Sequence, residues 1–325
     1  SEWTFYFLSS VQFNFTISDI MLYKQIEQNK RNTWIILGLY TLLILIISIF
    51  LGMLFTVYIG GAFFVIGLIY IAHVYFDATR HLMKVTNAVE ITKETEPQIY
   101  ELVEELCLAG GLPVPKLYIT PDQAPNAFAT GRDPQHASLA LTQGLLNMMN
   151  KKEVQGVIGH ELSHIRNYDT RITVLASALT SLITMTGVGI VVFGWGVLTS
   201  ENKGLLGLFI KFFALFLIIV GGIISIIGIP IAKLLFLLVS RQREYLADIG
   251  SVDLTREPSG LISALSKLER LEEGEGTPQI GSQDLALQHL YFNFPSAHNW
   301  ISRLFSDHPP LDKRIERLEN SNQIK

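Results

Sequence analysis

The chain is short of charge. Of its 325 residues, 17% are Asp, Glu, Lys or Arg, against about 25% in soluble domains, and the mean hydropathy is +0.34. The shortage is concentrated: residues 32–76, 172–200 and 212–232 contain none of the four charged types. Cysteine is almost absent too. Cys107 stands alone, which excludes an intramolecular disulfide and fits a reducing compartment. It lies in the apolar pattern of a predicted helix and reads as a buried structural thiol. A net charge of −4 without a basic stripe gives no case for a nucleic-acid partner. There is no G-x-x-x-x-G-K-[ST] loop, so no nucleotide partner is expected. No internal repeat stands out. Residues 1–20 lack the basic start and apolar core of a signal peptide. The native start is expected at Met21, which opens the basic, amphipathic MLYKQIEQNKR, with residues 1–20 a non-native or unstructured extension.

What is present is apolar helix. One crossing of a bilayer needs about 20 residues, so the first uncharged run supplies two spans, placed at 34–55 and 59–76 with a turn near Thr56–Tyr58, Gly60 and Gly61. The other two runs supply one span each, and Pro230 near the end of the last can kink it. Four such helices are hard to bury in a soluble core. Lysine and arginine set the orientation. Lys24, Lys30, Arg31, Arg80, Lys84, Lys151, Lys152, Arg166, Arg171, Lys233, Arg241 and Arg243 flank the spans on one side, and the connecting loops carry few charges. Both termini and both polar segments are therefore expected on the cytoplasmic side.

The expected fold is a mainly α membrane protein: four transmembrane helices plus a cytoplasmic α+β domain with a small sheet. Residues 21–76 form a basic N-terminus and the first hairpin, 172–232 the second hairpin, and 77–171 with 233–325 the split polar domain. TEPQIYELVEELCLAGG reads as a helix with Thr95 as cap, Pro97 in its first turn and Gly110–Gly111 at its end. KLYIT and HASLALT read as strands, and the turn-rich PDQAPNAFATGRDPQ between them has room for another short one. A helix over about 148–171 is predicted, then a helix leaving the fourth span through RQREYLADIG, a helix over GLISALSKLERLEE, a flexible GEGTPQIGSQD and a last helix at PPLDKRIERLEN.

The chemistry gathers at HELSH. His160 and His164, four positions apart on a helix, share a face and can reach one metal. Glu161 beside them can take a proton from water, the H-E-x-x-H arrangement of zinc peptidases. The alternative, a chance surface match, is disfavoured by Val154, Val157, Ile158 and Leu162, which give the helix a buried side. The longer H-E-x-x-H-x-x-G-x-x-H pattern is excluded, because Asn167 and Thr170 stand where glycine and histidine are required. A third ligand must come from elsewhere on the same side of the membrane. Glu244 is the candidate, with Asp248 one helical turn on as a carboxylate that orients a ligating histidine. The competing reading of these two is a solvated charged helix face. If the helix ran unbroken into the third span, His164 would stand roughly 12 Å above the apolar run at ~1.5 Å per residue.

NAFATG (126–131), GHELSHIRNYDTR (159–171), RQREYLAD (241–248) and DHPPLDKRIERL (307–318), in this order, make the chain resemble the HtpX family of membrane-embedded zinc metalloproteases, relatives of the CAAX prenyl proteases. The resemblance covers Met21 to the C-terminus. It implies a zincin-like catalytic domain, one zinc per chain, and Glu244 as third ligand. It further implies His308 as a stabiliser of the oxyanion, Arg314 paired with active-site carboxylates (Asp248 its natural partner), Asn126 at the substrate cleft, and HASLALT as an edge strand that receives an extended peptide. His136, His289 and His298 read as surface residues.

The implied activity is a zinc-dependent, ATP-independent endopeptidase in the bacterial inner membrane, acting from the cytoplasmic side on misfolded or damaged membrane proteins. Rival readings are a CAAX-type processing protease and a metal-binding scaffold without catalysis. The first has more spans around a large chamber; the second leaves Glu161 without a purpose. A site inside the bilayer is disfavoured by Lys151, Lys152, Glu153, Arg166, Asp169 and Arg171 around the motif.

Overall fold

The computed structural model of the chain describes residues 17–201, 204–237, 241–273 and 309–322. Two long helices, α1 (Ile17–Leu54) and α2 (Val57–Val85), precede strand β1 (Val89–Ile91) and helix α3 (Pro97–Gly110). Strands β2 (Lys116–Thr120), β3 (Ala127–Gly131) and β4 (Ala137–Thr142) follow, then helices α4 (Gln143–Met148), α5 (Lys151–Arg166), α6 (Asp169–Leu198) and α7 (Gly204–Leu237). Helices α8 (Arg241–Thr255), α9 (Ser259–Glu273) and α10 (Leu311–Asn322) complete the described elements. The protein is mostly helical with one small mixed sheet.

The uncharged runs form antiparallel hairpins, α1 on α2 and α6 on α7, and α6 also packs on α1 and α2. Among the described residues three stretches are long and apolar enough to cross a membrane: Lys24–Met53, Val57–Asp77 and Gly204–Ile226. A shorter apolar stretch, Ile183–Leu198, lies in α6. The first turn falls at the start of the expected Thr56–Tyr58 stretch. Only Phe55 and Thr56 separate α1 from α2, and the Thr56 hydroxyl accepts from the Ile59 amide to cap the second helix. Gly60 is inside α2, where a Cβ would run into the carbonyl of Ser48; the glycine serves a close helix crossing, not a turn.

The sheet has the order β1-β2-β4-β3, with β2 and β4 parallel and the two outer pairs antiparallel. This corrects the expectation for HASLALT. Its strand, β4, is interior, with all six residues buried and both backbone edges taken by β2 and β3. The edge on that side is β3, from the NAFATG segment. β1 escaped the sequence reading because three residues are too few to show alternation.

One hydrophobic core joins the segments on either side of the α6–α7 hairpin. It runs from Ile91, Leu102, Leu106 and Leu139 through Val157, Ile158 and Leu162 to Leu254, Leu261, Leu268 and Leu318. Cys107 is part of it; burial pushes its thiol up to about 12, which keeps it un-ionised and inert. Helix α3 starts at Pro97 as expected, but its cap position is Glu96; the Thr95 hydroxyl instead accepts from the Thr92 amide, closing the turn before it. Gly111, at φ 62°, ends it in the left-handed conformation that glycine adopts without cost.

Helix α5 carries HELSH. Its start is fixed by a capping box: Asn150 Oδ1 accepts from the Glu153 amide at 3.1 Å, and Glu153 Oε2 accepts from the Asn150 amide at 2.8 Å. Buried Glu153 also takes Lys267 Nζ at 2.7 Å and the Ser263 hydroxyl at 2.6 Å, so the same carboxylate pins α5 to α9. Burial alone would raise its pKa; these partners outweigh it and hold the carboxyl below its usual range. The far end differs from the sequence expectation. α5 and α6 are not one helix over 148–171: the chain leaves α5 at Asn167, and Tyr168 takes the left-handed conformation (φ 62°) before α6 begins at Asp169. Lys30 and Arg171 each lie 4.8 Å from the centre of the Tyr168 ring, which helps hold a non-glycine residue there. The height of roughly 12 Å assumed a straight helix and no longer follows.

Candidate metal centre

His160 is fully buried on α5, and its neighbour on the same face, His164, is mostly so. Their Nε2 atoms face each other at 3.1 Å. Glu244, near the start of α8, reaches the same point: its carboxylate oxygens lie 3.5 Å from His160 Nε2 and 3.6 Å from His164 Nε2. One ligand atom from each of the three residues falls within 4.8 Å of the others, so the trio could hold a metal ion. α8 can approach this closely because α5 is notched by small residues. A Cβ on Gly159 would touch Ser251 Oγ at 2.9 Å, and one on Gly156 would come to 2.6 Å from the backbone of Leu261 on α9.

Each imidazole is held from behind by a carboxylate. His160 Nδ1 is 3.0 Å from Asp248 Oδ1, and His164 Nδ1 is 2.8 Å from Asp169 Oδ2. A carboxylate accepts the Nδ1 proton, so each Nε2 presents its lone pair to the shared point. Two imidazole nitrogens 3.1 Å apart need either a shared proton or a metal ion between them. The donor set of two imidazole nitrogens and one carboxylate oxygen is one that zinc takes. The residues therefore fit a zinc ion.

Arg314, in the first turn of α10, completes the electrostatics. It is fully buried and grips Asp248 with two hydrogen bonds, Nε to Oδ2 at 2.9 Å and Nη2 to Oδ1 at 2.6 Å. Its Nη2 also lies 3.3 Å from His160 Nδ1. Both are donors, so they share Asp248 Oδ1 rather than bond each other. Glu244 Oε2 is 3.9 Å from Arg314 Nη1. Burial raises the cost of ionising Asp248, but the guanidinium outweighs it and holds the carboxyl below its usual range. For His160, burial disfavours the proton; hydrogen bonds to Asp248 and Glu244 overcome that and lift the pKa of the metal-free ring to about 9.

Of the other residues singled out in the sequence, Glu161 is buried next to His160 and its charge acts on Arg314. Asn126 is buried immediately before β3, where its backbone N–H donates to the Thr142 hydroxyl at 2.8 Å. β3 packs against α5 and α6, and its last carbonyl, on Gly131, accepts from the Thr170 hydroxyl at 2.9 Å. His136 is exposed and bonded to Asp133 at 2.7 Å. His308, His289, His298 and the GEGTPQIGSQD loop lie outside the described residues.

Asp169 was missed as a site residue. On an unbroken helix it would point roughly 140° away from His164, five positions earlier, at ~100° per residue. The break at Tyr168 turns it back. A positive-φ residue in Asn-Tyr-Asp leaves little trace in sequence. A second partner of Asp169 was missed as well: Asn29 of α1 donates to Asp169 Oδ1 at 2.6 Å.

Two histidines of one helix and a carboxylate of another, beside an outer strand of a small sheet, define a metallopeptidase type of centre. Comparison with known proteins agrees. The profile of Peptidase family M48 matches residues 93–322. Proteins named Protease HtpX homolog from Streptococcus gordonii, Streptococcus thermophilus and Streptococcus mutans are each 40% identical to the chain, over 308, 311 and 306 residues; the match covers 92% of this chain and 99% of each relative. The chain belongs to peptidase family M48, as an HtpX-like metalloprotease.

Proposed function

We propose that the protein is a zinc-dependent, ATP-independent endopeptidase of the HExxH-plus-Glu type, anchored in the bacterial inner membrane by four helices and cutting misfolded or damaged membrane proteins at the cytoplasmic surface. His160, His164 and Glu244 hold one zinc. The observation that carries this reading is the convergence of their ligand atoms within 4.8 Å, with each histidine backed by its own carboxylate. The third of these spans is α6, whose uncharged run covers residues 172–200. The lysine and arginine bias supports a cytoplasmic zincin-like domain.

When bound, zinc supplies Lewis acidity that polarises oxygen and makes water a stronger acid. The protein's own groups do the rest. Glu161 takes the proton of the attacking water and delivers it to the leaving amine. His308 donates to the oxyanion as the carbonyl is attacked. Asp248 and Asp169 keep the Nδ1 protons in place, and Arg314 keeps Asp248 ionised. The substrate lies extended along β3 rather than β4, because β3 is an outer strand of the sheet among the described residues, whereas β4 is paired on both sides. Asn126, at the start of that strand, borders the cleft.

The test is Glu161→Gln in the purified full chain. Zinc content should stay near one per chain while cleavage of an unfolded polypeptide is lost, without any ATP requirement in the wild type. Cleavage at the wild-type rate by this variant would refute the mechanism. Comparing membrane proteomes of cells with wild type and Glu161→Gln identifies the substrates.

A further inference from the structure

Asn29 sits on α1, in a stretch long and apolar enough to cross a membrane and well before residue 93, where the family match begins. Its side chain is 1% exposed. Burying an amide among apolar helices costs free energy unless its hydrogen bonds are made. Here they are made to the catalytic domain. Nδ2 donates to the Asn167 carbonyl at 2.8 Å and to Asp169 Oδ1 at 2.6 Å, while Oδ1 accepts from Gln25 Nε2 at 3.2 Å. The orientation of the amide is unambiguous, since its reverse would set oxygen against a carbonyl and a carboxylate. The two acceptors are the residue that ends α5 and the residue that begins α6, so one amide straps the break on which the position of Asp169 depends. Asp169 Oδ2 in turn holds His164 Nδ1 at 2.8 Å, and Arg243 Nη1 approaches Asp169 Oδ1 at 3.5 Å from α8.

We propose that Asn29 is a positioning residue of the metal centre: through Asp169 it fixes the ring of His164, so that helix α1 is a working part of the site. This rests on the assignment of His164 as a zinc ligand. Partners that orient metal-ligating histidines are each worth roughly 10–100-fold in metal affinity or activity. A group one hydrogen bond further out belongs at the lower end of that range.

The experiment uses the full chain in detergent. Zinc affinity is measured by competition with a chromogenic chelator, and kcat and KM are measured on an unfolded polypeptide. Asn29→Ala and Asn29→Leu should each weaken zinc binding by about tenfold and lower kcat with KM unchanged. Asn29→Leu keeps the side chain's shape and the helix contact, so a folding defect confined to Asn29→Ala leaves the test intact. In an Asp169→Asn background the Asn29 changes should add almost nothing, because their effect travels through that carboxylate. Thr33→Ala is the control: Thr33 is 2% exposed one turn along α1 and its hydroxyl donates to the Asn29 carbonyl, and its zinc affinity should equal that of wild type. Wild-type zinc affinity in both Asn29 variants overturns the proposal. So does a loss that multiplies in full with that of Asp169→Asn, or an equal loss in Thr33→Ala. His164→Ala separates this from the parent assignment. Zinc retained there overturns the ligand set, whereas zinc lost there but kept by the Asn29 variants overturns only the role of Asn29.

Discussion

At the scale of single residues, the centre is a stack of charges that are tolerable only together. Arg314 is the largest fully buried side chain in the described structure, and it faces Asp248 and Glu244. Removing one partner of a buried ion pair costs about 3–5 kcal/mol, because the remaining charge is left uncompensated. Arg314→Leu should therefore lower the unfolding free energy by about that amount, read from the shift in denaturant midpoint, and Arg314→Lys should recover little, since a single ammonium cannot make the two-pronged grip. His160 gives a pH prediction with two opposite signs. Its metal-free pKa is raised from 6.5 to about 9. Its contribution to the stability of the metal-free fold is thus complete below about pH 6.5 and lost as pH climbs through about 9. Zinc must displace the same proton, so zinc affinity should strengthen over that interval. Unfolding of the metal-free chain and zinc competition, both at pH 6.5 and 8.5, check the pair. The juxtaposition of His160 and His164 was legible from sequence because their spacing is a property of one helix. Glu244 was legible from its place next to a span. Asp169 and Asn29 were not, since one depends on a left-handed tyrosine and the other on a contact between residues 140 positions apart.

At the scale of elements, the long periodic helices and the strands KLYIT and HASLALT could be read from the sequence; their connections and neighbours could not. Strand pairing is a long-range property, and a fully buried strand such as β4 does not announce whether its flanks are free. The helix over 148–171 failed because no glycine or proline marks the break at Asn167–Tyr168. The notched face of α5 makes its own prediction. A methyl at Gly156 has to displace the backbone of Leu261, and overpacking of this kind costs about 1–3 kcal/mol. Gly156→Ala should therefore lower the melting temperature and, by pushing α9 away, loosen the Glu153–Lys267 tie that anchors the start of α5. Differential scanning calorimetry measures the first effect and hydrogen exchange at the α5 amides the second.

At the scale of the whole molecule, the chain combines a membrane anchor with a protease domain assembled from both sides of a helical hairpin. The proposed orientation is open to labelling with a membrane-impermeant thiol reagent. Cys107 is buried and its thiol un-ionised, so the native background should be quiet. A cysteine at Glu201 should react in intact cells, and one at Lys152 only after permeabilisation; the reverse pattern would invert the topology. Removing zinc with a chelator should lower the melting temperature of the full chain, since a ligand that binds only the folded state stabilises it. The split of the domain also has a consequence for how the enzyme is born. During synthesis the ribosome delivers His160 and His164 first, then the whole of α6 and α7, and only afterwards Glu244, Asp248 and finally Arg314. Until the hairpin has been made, the nascent chain holds two of the three proposed ligands; until α10 emerges, Asp248 has no guanidinium to keep it charged. A product that stops before α10 therefore lacks Arg314, and one that stops before α8 lacks Glu244 and Asp248 as well.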